Sequence, residues 1–354
     1  MMGKNNGQID MFDNLIFQQL IPKDHLLVKI DSIIDFSFVY NIVQEYYSDI
    51  GRESYDPAML LKICLLEYLY CLSDVQVVKR IQTDIAFRYF LRLNLYDQVP
   101  DDTTISHFRI NRLVDRPFEE FFNEIVRQCI EHDLIKSKRF LIDSTDVAAN
   151  VNYPSAKKLI CDAFRKVVRE IRKFNNELAQ EILKQFEDTI ASEHKKSDKV
   201  STSTYCTIAK DCAEQIYLKT YDELQLNKRY SEQFGALWDI IHQYQGPSND
   251  RIISCVDPDA QVAHKSIGNM KRGYKNHILV DEDSELILAS VQTPFNVGDE
   301  KKLTSLVSKV ADTFDLLPEE ITADKVYGTN DNRAFLKDHG ITTNIDFYEP
   351  SERE

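Results

Sequence analysis

A single strand pattern interrupts two long helical patterns, and this order restricts the folds open to the chain. Residues 140–152 read "FLIDSTDVAANVN", and the run begins with three apolar residues that are typical of a strand. Helical periodicity precedes it over residues 1 to about 135 and follows it over residues 155 to about 245. From Arg251 the pattern changes to strands. The sequence therefore predicts a sheet whose first strand is separated from the others by a large helical insertion.

The last hundred residues alternate between strand and helix patterns. Two apolar runs in "YKNHILVDEDSELILASVQTP" flank the polar "DEDSE" and predict a hairpin. "EKKLTSLVSKVADTF" then predicts a helix, "EEITADKVY" a strand, "NDNRAFLKDHG" a helix closed by Gly340, and "ITTNIDFY" a further strand. The chain has only 10 Gly and 10 Pro, fewer than the usual ~7% and ~5%, which favours helices over turns. We therefore predict an α+β (mixed α/β) protein with a mixed sheet flanked by helices.

Three helical patterns lie in series near the N-terminus. The first begins at Asp56-Pro57, with Pro at the first helical position. The second begins at Ser73, whose spacing to Gln76 fits a capping box, and this helix is predicted to continue through "FRYFLRL". The third, "TTISHFRINRLVD", leaves Arg109 and Arg112 on faces away from its apolar positions. These helices predict either a helix-turn-helix-like unit in which both arginines contact DNA, or a bundle that serves packing or dimerisation.

The first helix of the insertion has two distinct faces. Residues 155–175 carry seven basic and two acidic side chains, in a chain whose net charge is -14. Lys158, Arg165, Arg169 and Arg172 recur opposite the apolar stripe. Such a face can hold DNA phosphates, although a solvated amphipathic surface gives the same pattern. The overall charge excludes a uniformly basic nucleic-acid coat, so any DNA contact must use local basic faces.

Two predicted strands end on an acidic residue. Leu141-Ile142 is followed by Asp143, and Thr322-Ala323 is followed by Asp324. Ligands of open α/β sheets gather at the carboxyl ends of strands. Paired carboxylates suit Mg²⁺, and two such ions ~3.5–4 Å apart can promote phosphodiester cleavage. Asp also caps turns after strands, so spacing alone leaves both interpretations open.

Several motifs, in their shared order, resemble the DDE transposases of bacterial insertion sequences. "GRESYDPAMLLKICLLEYLYCLSD" with "FRYFLRL" and "VPDDTTISHFR" is similar to their helical N-terminal domain, and "FLIDSTDV" to their first catalytic strand. "VDPDA" followed by "KRGYKNHILVDE" is similar to their central segment, and "TADKVYGTNDNRAFL" to their second catalytic motif. The resemblance implies a helical DNA-binding or dimerisation domain over residues 1–135. It also implies a ribonuclease-H-like catalytic domain over residues 136–354.

The resemblance also implies an activity and its partners. It implies cutting and joining of DNA at the terminal inverted repeats of an insertion sequence, by a homo-oligomer assembled on DNA. Asp143 and Asp324 would be the catalytic residues and the ligands of Mg²⁺, with Mn²⁺ as an alternative ion. Lys271 and Arg272, in the central segment, are further candidates for DNA contacts. No organic cofactor is expected.

A third acid of the family has no matching position in this sequence. The family places a Glu on a helix beyond the last strand, within a pattern of Tyr, two residues, Arg, three residues, Glu and then Lys. Glu349, Glu352 and Glu354 do not follow that spacing. We therefore expect that the chain stops before the catalytic helix and is inactive alone.

Two other functions remain open. One is a nuclease in which another acid, such as Asp146, completes the site. The other is a non-catalytic DNA-binding or interaction protein that regulates a full-length transposase. No stretch reaches the ~18 apolar residues that span a bilayer, and the N-terminus lacks a signal peptide, so we expect a cytoplasmic protein without membrane contact. The seven Cys include no CxxC pair, which argues against a zinc site.

Overall fold

The computed structural model divides the chain into two compact units. It describes residues 1–4, 8–113, 116–197, 199–244, 251–266 and 269–347. One unit comprises Met1–Arg139 with Asp281–Leu288 and Val310–Leu317, and the other comprises Phe140–Val280, Ala289–Lys309 and Pro318–Glu354. Over the described ranges, every helix is too short or too polar to cross a membrane.

The first unit is a helical bundle around one apolar core. Its helices are α1 (Met11–Leu20), α2 (Leu26–Ile33), α3 (Phe38–Val43), α4 (Pro57–Tyr70), α5 (Asp74–Thr83), α6 (Ile85–Phe90), α7 (Asp102–Arg112) and α8 (Arg116–Glu131). Phe17, Leu27, Ile63, Ile81 and Phe90 are among the fully buried side chains of this core. Helix α4 is buried over most of its length, as its apolar sequence predicts.

Side-chain caps set where the central helices begin and end. Asp56 accepts hydrogen bonds from the backbone N–H groups of Ala58 and Met59, with Pro57 at the first helical position. Ser73 and Gln76 form the predicted capping box. The predicted single helix from Ser73 through "FRYFLRL" is wrong, because Asp84 interrupts it. The Asp84 side chain accepts from two N–H groups of the next turn and so starts α6.

Helix α7 is tied to α4 and α5 through one arginine. The Arg109 guanidinium lies 2.6 Å from Glu67 Oε2 and also pairs with Asp74. The Glu67 side chain is only 6% exposed, and its other oxygen, Oε1, has no hydrogen-bond partner. Burial raises the pKa of Glu67 from 4.5 to about 7, and Arg109 opposes this rise. The ion pair therefore joins three helices around a carboxylate that is costly to ionise.

The second unit contains the predicted helical insertion. Its helices are α9 (Ala156–Ile171), α10 (Asn176–Lys196), α11 (Thr202–Lys219), α12 (Tyr221–Leu226) and α13 (Lys228–His242). Helix α9 packs against α10, α11 and α13 and buries the predicted stripe from Leu159 to Ile171, whereas Phe174, which was predicted to belong to this stripe, lies past the helix and is exposed. The rings of Phe164 and Phe186 stack with centroids 4.0 Å apart in this core. The predicted insertion is confirmed, including the apolar face of its first helix.

A mixed sheet forms the rest of this unit. Its strands are β1 (Arg139–Ala148), β2 (Gln261–Ser266), β3 (Asn269–Asp281), β4 (Ile287–Pro294), β5 (Glu320–Ala323) and β6 (Thr342–Asn344). The order is β2-β3-β1-β5-β6, and β4 also pairs with β3. Strands β2 and β3 are antiparallel, whereas β5 and β6 are parallel. Helices α14 (Leu303–Phe314) and α15 (Asn330–Asp338) alternate with the last strands, and Gly340 follows α15 with φ 70°. The predicted α+β class and hairpin are confirmed.

Two strand predictions were incomplete. Strand β2 was not predicted, since its sequence has no clear alternation, and it exists through pairing with β3. Strand β1 does not stop at Asp143 but continues to Ala148. Its far end is held by the backbone of β3, where Arg272 O accepts from Ala149 N and Gly273 adopts φ 133°. A Cβ at Gly273 would collide with the backbone of Val147, so this pairing requires glycine.

Candidate active site

The first candidate acid lies where β1 leaves the core. Phe140 and Ile142 are buried, whereas the side chains from Asp143 onward are exposed or half-buried. Asp143 Oδ1 accepts a hydrogen bond of 2.7 Å from the backbone N–H of Ser144. The acid is thus placed on a strand that is anchored on both sides of it. Its carboxylate is exposed because the covering apolar side chains end one residue earlier.

The second candidate acid lies directly after β5. Asp324 is exposed and begins a short 3-10 turn, Lys325–Tyr327. Because β5 is the neighbour of β1 in the sheet, the two acids stand on adjacent strands. The prediction that Asp324 ends a strand is confirmed.

A tyrosine is buried in the turn that the second acid begins. Tyr327 is 1% exposed, and its hydroxyl has no hydrogen-bond partner within the geometric limits of a hydrogen bond. Burial raises the pKa of Tyr327 above its ordinary value, and the charges of Asp299, Asp143 and Asp324 add to the rise. The charges of three carboxylates therefore act in the same direction on one buried hydroxyl.

Asp299 belongs to a network of partly buried polar groups. Its Oδ1 accepts from Lys275 Nζ at 2.6 Å, and its Oδ2 accepts from the Ser144 hydroxyl at 3.1 Å. The side chains of Lys275 and Asp299 are only 14% and 21% exposed. His277 Nδ1 lies 3.9 Å from Asp299 Oδ1 and is unsatisfied, while His277 Nε2 is 2.9 Å from the Thr293 hydroxyl. Burial lowers the pKa of His277, so its neutral form is favoured.

Asn332 connects the loop after β4 to the turn after β5. This residue is 4% exposed, and its amide donates to Glu300 O at 2.8 Å and to Tyr327 O at 2.9 Å. Glu300 follows Asp299, and Tyr327 lies in the turn that Asp324 begins. One side chain therefore fixes the backbone of both acidic segments relative to each other.

The described residues supply two exposed acids at this site rather than three. Within these ranges, no group of three His, Cys, Asp or Glu side chains is arranged to hold a metal ion. Asp146 pairs with Lys271 and, three residues along a strand from Asp143, projects from the opposite face. It is therefore a poor candidate for the missing ligand. Glu349, Glu352 and Glu354 lie outside the described residues.

The predicted basic face of α9 is exposed. Lys158, Arg165, Arg169 and Arg172 are all exposed, although Arg172 lies just past the last residue of the helix. Arg165 lies 3.3 Å from Glu187 in an exposed ion pair. Lys158, Arg169 and Arg172 form no ion pair with another described residue. Over the described residues, three of the four cations of this face are therefore exposed and not neutralised by an ion pair.

The other predicted DNA-binding residues have partners within the protein. Arg109 is held by two carboxylates, as described above, and Lys271 pairs with Asp146. The Arg272 guanidinium lies over the Tyr153 ring, 4.5 Å from its centroid. Arg112 lies over the Tyr47 ring at 4.7 Å. These contacts give each side chain a structural role, and its contact with DNA stays a prediction.

Sequence reasoning missed Asp299, Lys275 and the role of Ser144. One signal was present: "YKNHILV" places Lys275 and His277 two residues apart on a strand that is otherwise apolar. Polar residues on one face of such a strand require buried partners. The partner itself, Asp299, lies 24 residues away from Lys275 and could not be identified from the pattern.

Two transposase families match the chain. Residues 15–111 match a transposase domain (DUF772), and residues 248–349 match the transposase DDE domain. The second match contains Asp299, Asp324 and Asn332, and the two matches together cover more than half of the chain. No solved structure matches the chain.

Proposed function

Because the chain belongs to the DDE transposases of the insertion-sequence type, we propose that Asp143 and Asp324 hold the metal ions with which it cleaves and joins DNA. Transposases of this family cut DNA and transfer its strands, and they depend on divalent metal ions. Their DDE domain is ribonuclease-H-like, which agrees with the mixed sheet and flanking helices described above. Transposase domains act on DNA, so DNA is the partner of this chain.

The observation that carries this proposal is the pair of exposed carboxylates on adjacent strands. Asp143 and Asp324 both act electrostatically on the buried Tyr327 hydroxyl. Carboxylate oxygens are hard ligands that suit Mg²⁺, and Mn²⁺ accepts the same ligands, so the donor set fits these ions. When bound, such ions activate the attacking hydroxyl and stabilise the leaving oxygen in phosphodiester chemistry.

The residues around the acids would hold this geometry during turnover. The backbone N–H of Ser144 orients the Asp143 carboxylate, and the Asn332 amide fixes the segment that carries Asp324. The Tyr327 side chain is buried in the turn that follows Asp324, so this turn is packed against the core. These groups keep the carboxylates in place without reorganisation when the substrate phosphate arrives.

A third carboxylate completes the proposed site from outside the described residues. Two acids leave a second ion weakly held, since the negative ligands must balance the charge of both ions. The described part of the chain offers no third ligand in a suitable position. We therefore propose that full cleavage requires a carboxylate from outside the described residues, supplied by a segment with the family's Tyr, Arg and Glu pattern.

This proposal is tested by a nicking assay with divalent ions. Plasmid DNA carrying the inverted repeats of the element is incubated with Mg²⁺ or Mn²⁺ and with the chain, either alone or extended by the Tyr–Arg–Glu segment. We expect nicks at the element ends from the extended form and little cleavage from the chain alone. Equal cleavage by both forms would show that an acid within the chain completes the site. Cleavage that persists in EDTA would contradict the metal proposal.

We further propose that the chain binds the terminal inverted repeats as a homo-oligomer and uses the basic face of α9 for the DNA backbone. The three cations of this face without ion pairs to described residues support the second part. Replacing Arg169 and Arg172 by Ala should weaken binding similarly for all sequences, because phosphate contacts carry no sequence information. The slope of log K against log salt should fall by about one for each lost contact.

A matched control uses two exposed lysines of α10. Lys184→Ala with Lys195→Ala removes the same charge from another helix of the insertion. Fluorescence anisotropy at several salt concentrations should show a smaller slope for the α9 variant than for this control. If the two variants lose affinity equally, net charge rather than the α9 face determines binding.

A second function rests on the incomplete set of acids. A chain that binds element ends without cutting them would compete with a complete transposase and so regulate it. The nicking assay separates the two functions, because a regulator shows DNA binding but no cleavage in either form. Added to an active transposase, it should lower cleavage in proportion to its occupancy of the ends.

A further inference from the structure

We propose that Asp299 is a positioning residue of the metal site and that its charge neutralises Lys275 beside the catalytic acids. This inference rests on the proposed function and assigns a role to a residue outside the Asp143 and Asp324 pair. Hydrogen bonds connect Lys275 through Asp299 and Ser144 to Asp143. Lys275 Nζ donates to Asp299 Oδ1 at 2.6 Å, the Ser144 hydroxyl donates to Asp299 Oδ2 at 3.1 Å, and the Ser144 N–H donates to Asp143 Oδ1 at 2.7 Å.

The geometry assigns Asp299 a supporting role rather than that of a metal ligand. Both of its oxygens already accept hydrogen bonds, and it forms no metal-binding group of three with the described acids. Metal sites depend on such supporting groups, whose loss typically lowers metal affinity by about 10–100-fold. Asp299 fits this role because it fixes the hydroxyl of the residue next to Asp143.

Two features of the surrounding structure indicate that the network is organised toward the acids. The Tyr327 hydroxyl is buried, and the charge of Asp299 acts on its pKa together with those of Asp143 and Asp324, whereas the Ser144 hydroxyl of the same network opposes them. Asn332 fixes the carbonyl of the residue after Asp299 and that of Tyr327. The backbone on either side of the network is therefore held independently of Asp299, so its replacement need not unfold the loop.

Asp299 balances the positive charge of Lys275. Lys275 is 14% exposed, and its ammonium donates to the carbonyl of Val297 as well as to Asp299. With Asp299 neutral, a partly buried cation would remain near the site and would repel divalent ions. Removing both charges should relieve this repulsion, since a neutral pair can replace a buried ion pair at little cost.

The test compares Mn²⁺ binding by four proteins. Binding is measured as the decrease of the free Mn²⁺ signal in electron paramagnetic resonance. Asp299→Ala removes both the charge and the acceptor of Ser144 and should weaken binding about 10–100-fold. Asp299→Asn keeps an acceptor but exposes the Lys275 charge and should also weaken binding. Asp299→Asn with Lys275→Gln should recover most of the native affinity. Native protein is the reference.

The pattern of rescue decides the inference. If Asp299 acted only in folding, the double variant would be no better than the single one, and the melting temperature would fall in step with affinity. If all Asp299 variants bind Mn²⁺ as the native chain does, the positioning role is wrong. Asp143→Asn provides the separate control for the proposed function. Binding that is insensitive to Asp143→Asn would overturn the metal site itself, and the role of Asp299 with it.

Discussion

Replacing Asp143 or Asp324 by Asn is expected to reduce DNA strand cleavage by at least about a thousand-fold. Ligands of one metal site act as a unit, so losing either one removes most of the rate. Both side chains are exposed, and neither forms an ion pair with another described residue, so the fold should not depend on them. The assay is cleavage of inverted-repeat DNA with Mg²⁺ by the form that carries the third carboxylate, with the melting temperature measured in parallel.

Asp146→Asn is the matched comparison on the same strand. Asp146 pairs with Lys271 and projects from the other face of β1, so its loss should change cleavage by less than about threefold. This variant also tests the nuclease interpretation, in which Asp146 completes the site. Cleavage that falls as far with Asp146→Asn as with Asp143→Asn would favour that nuclease. Cleavage that survives Asp143→Asn would remove the proposed catalytic role of this residue.

The local signals in the sequence predicted most of the elements. Capping is a short-range interaction, so the starts at Pro57 and after Ser73 could be read directly from the residues. The apolar stripe of α9 likewise predicted its buried face. The break at Asp84 was missed because an aspartate inside an apolar periodic run can either continue a helix or cap the next one. Local sequence does not decide between these outcomes.

Strand pairing was harder to predict because it depends on distant partners. Strand β1 continues beyond Asp143 through its backbone pairing with β3, more than a hundred residues later. The two candidate acids could be identified locally, since Asp143 follows the apolar start of β1 and Asp324 follows β5, and their catalytic role stays a prediction. Their support from Asp299, Ser144 and Lys275 could not be identified locally, because a hydrogen-bonded network between separate loops leaves no periodic signal. The roles of cationic residues depend in the same way on partners that only the fold reveals.

Arg109 is the clearest case of a cationic residue whose role depends on its partners in the fold. Its replacement is expected to cause the second large effect, a loss of stability. Its position on a helix with basic residues suggested DNA binding, yet it pairs with Glu67 and Asp74 inside the first unit. Removing one partner of a buried ion pair leaves an uncompensated charge and costs about 3–5 kcal/mol. Since Arg109 is 35% exposed, we expect a smaller cost than this, about 2–3 kcal/mol, for Arg109→Ala at pH 8. Arg112→Ala on the same helix should cost less than about 1 kcal/mol.

The cost of Arg109→Ala should depend on pH, because Glu67 can take up a proton. The pKa of Glu67 is raised to about 7 in the folded chain, so the folded state holds an extra proton between about pH 4.5 and 7. The stability contributed by this proton is present below pH 4.5 and is lost as pH rises through 7. Without Arg109, which opposes the rise, the pKa should move higher still. The variant can then keep Glu67 neutral at pH 6. At pH 8 it must either ionise the buried Glu67 or hold its proton, and the free-energy cost of holding the proton grows with pH.

Calorimetric melting of the whole chain at pH 6 and pH 8 tests this prediction. The midpoint temperature of the first unfolding transition should fall by about 5–10 °C for Arg109→Ala at pH 8 and by clearly less at pH 6. Adding Glu67→Gln should remove most of the pH dependence, because the variant then has no buried acid to ionise. DNA affinity measured on folded protein should change less for Arg109→Ala than for Arg112→Ala if the ion pair is its main role. A stable Arg109→Ala variant that has lost DNA binding at both pH values would instead support the original interpretation of this helix as a DNA-contacting element.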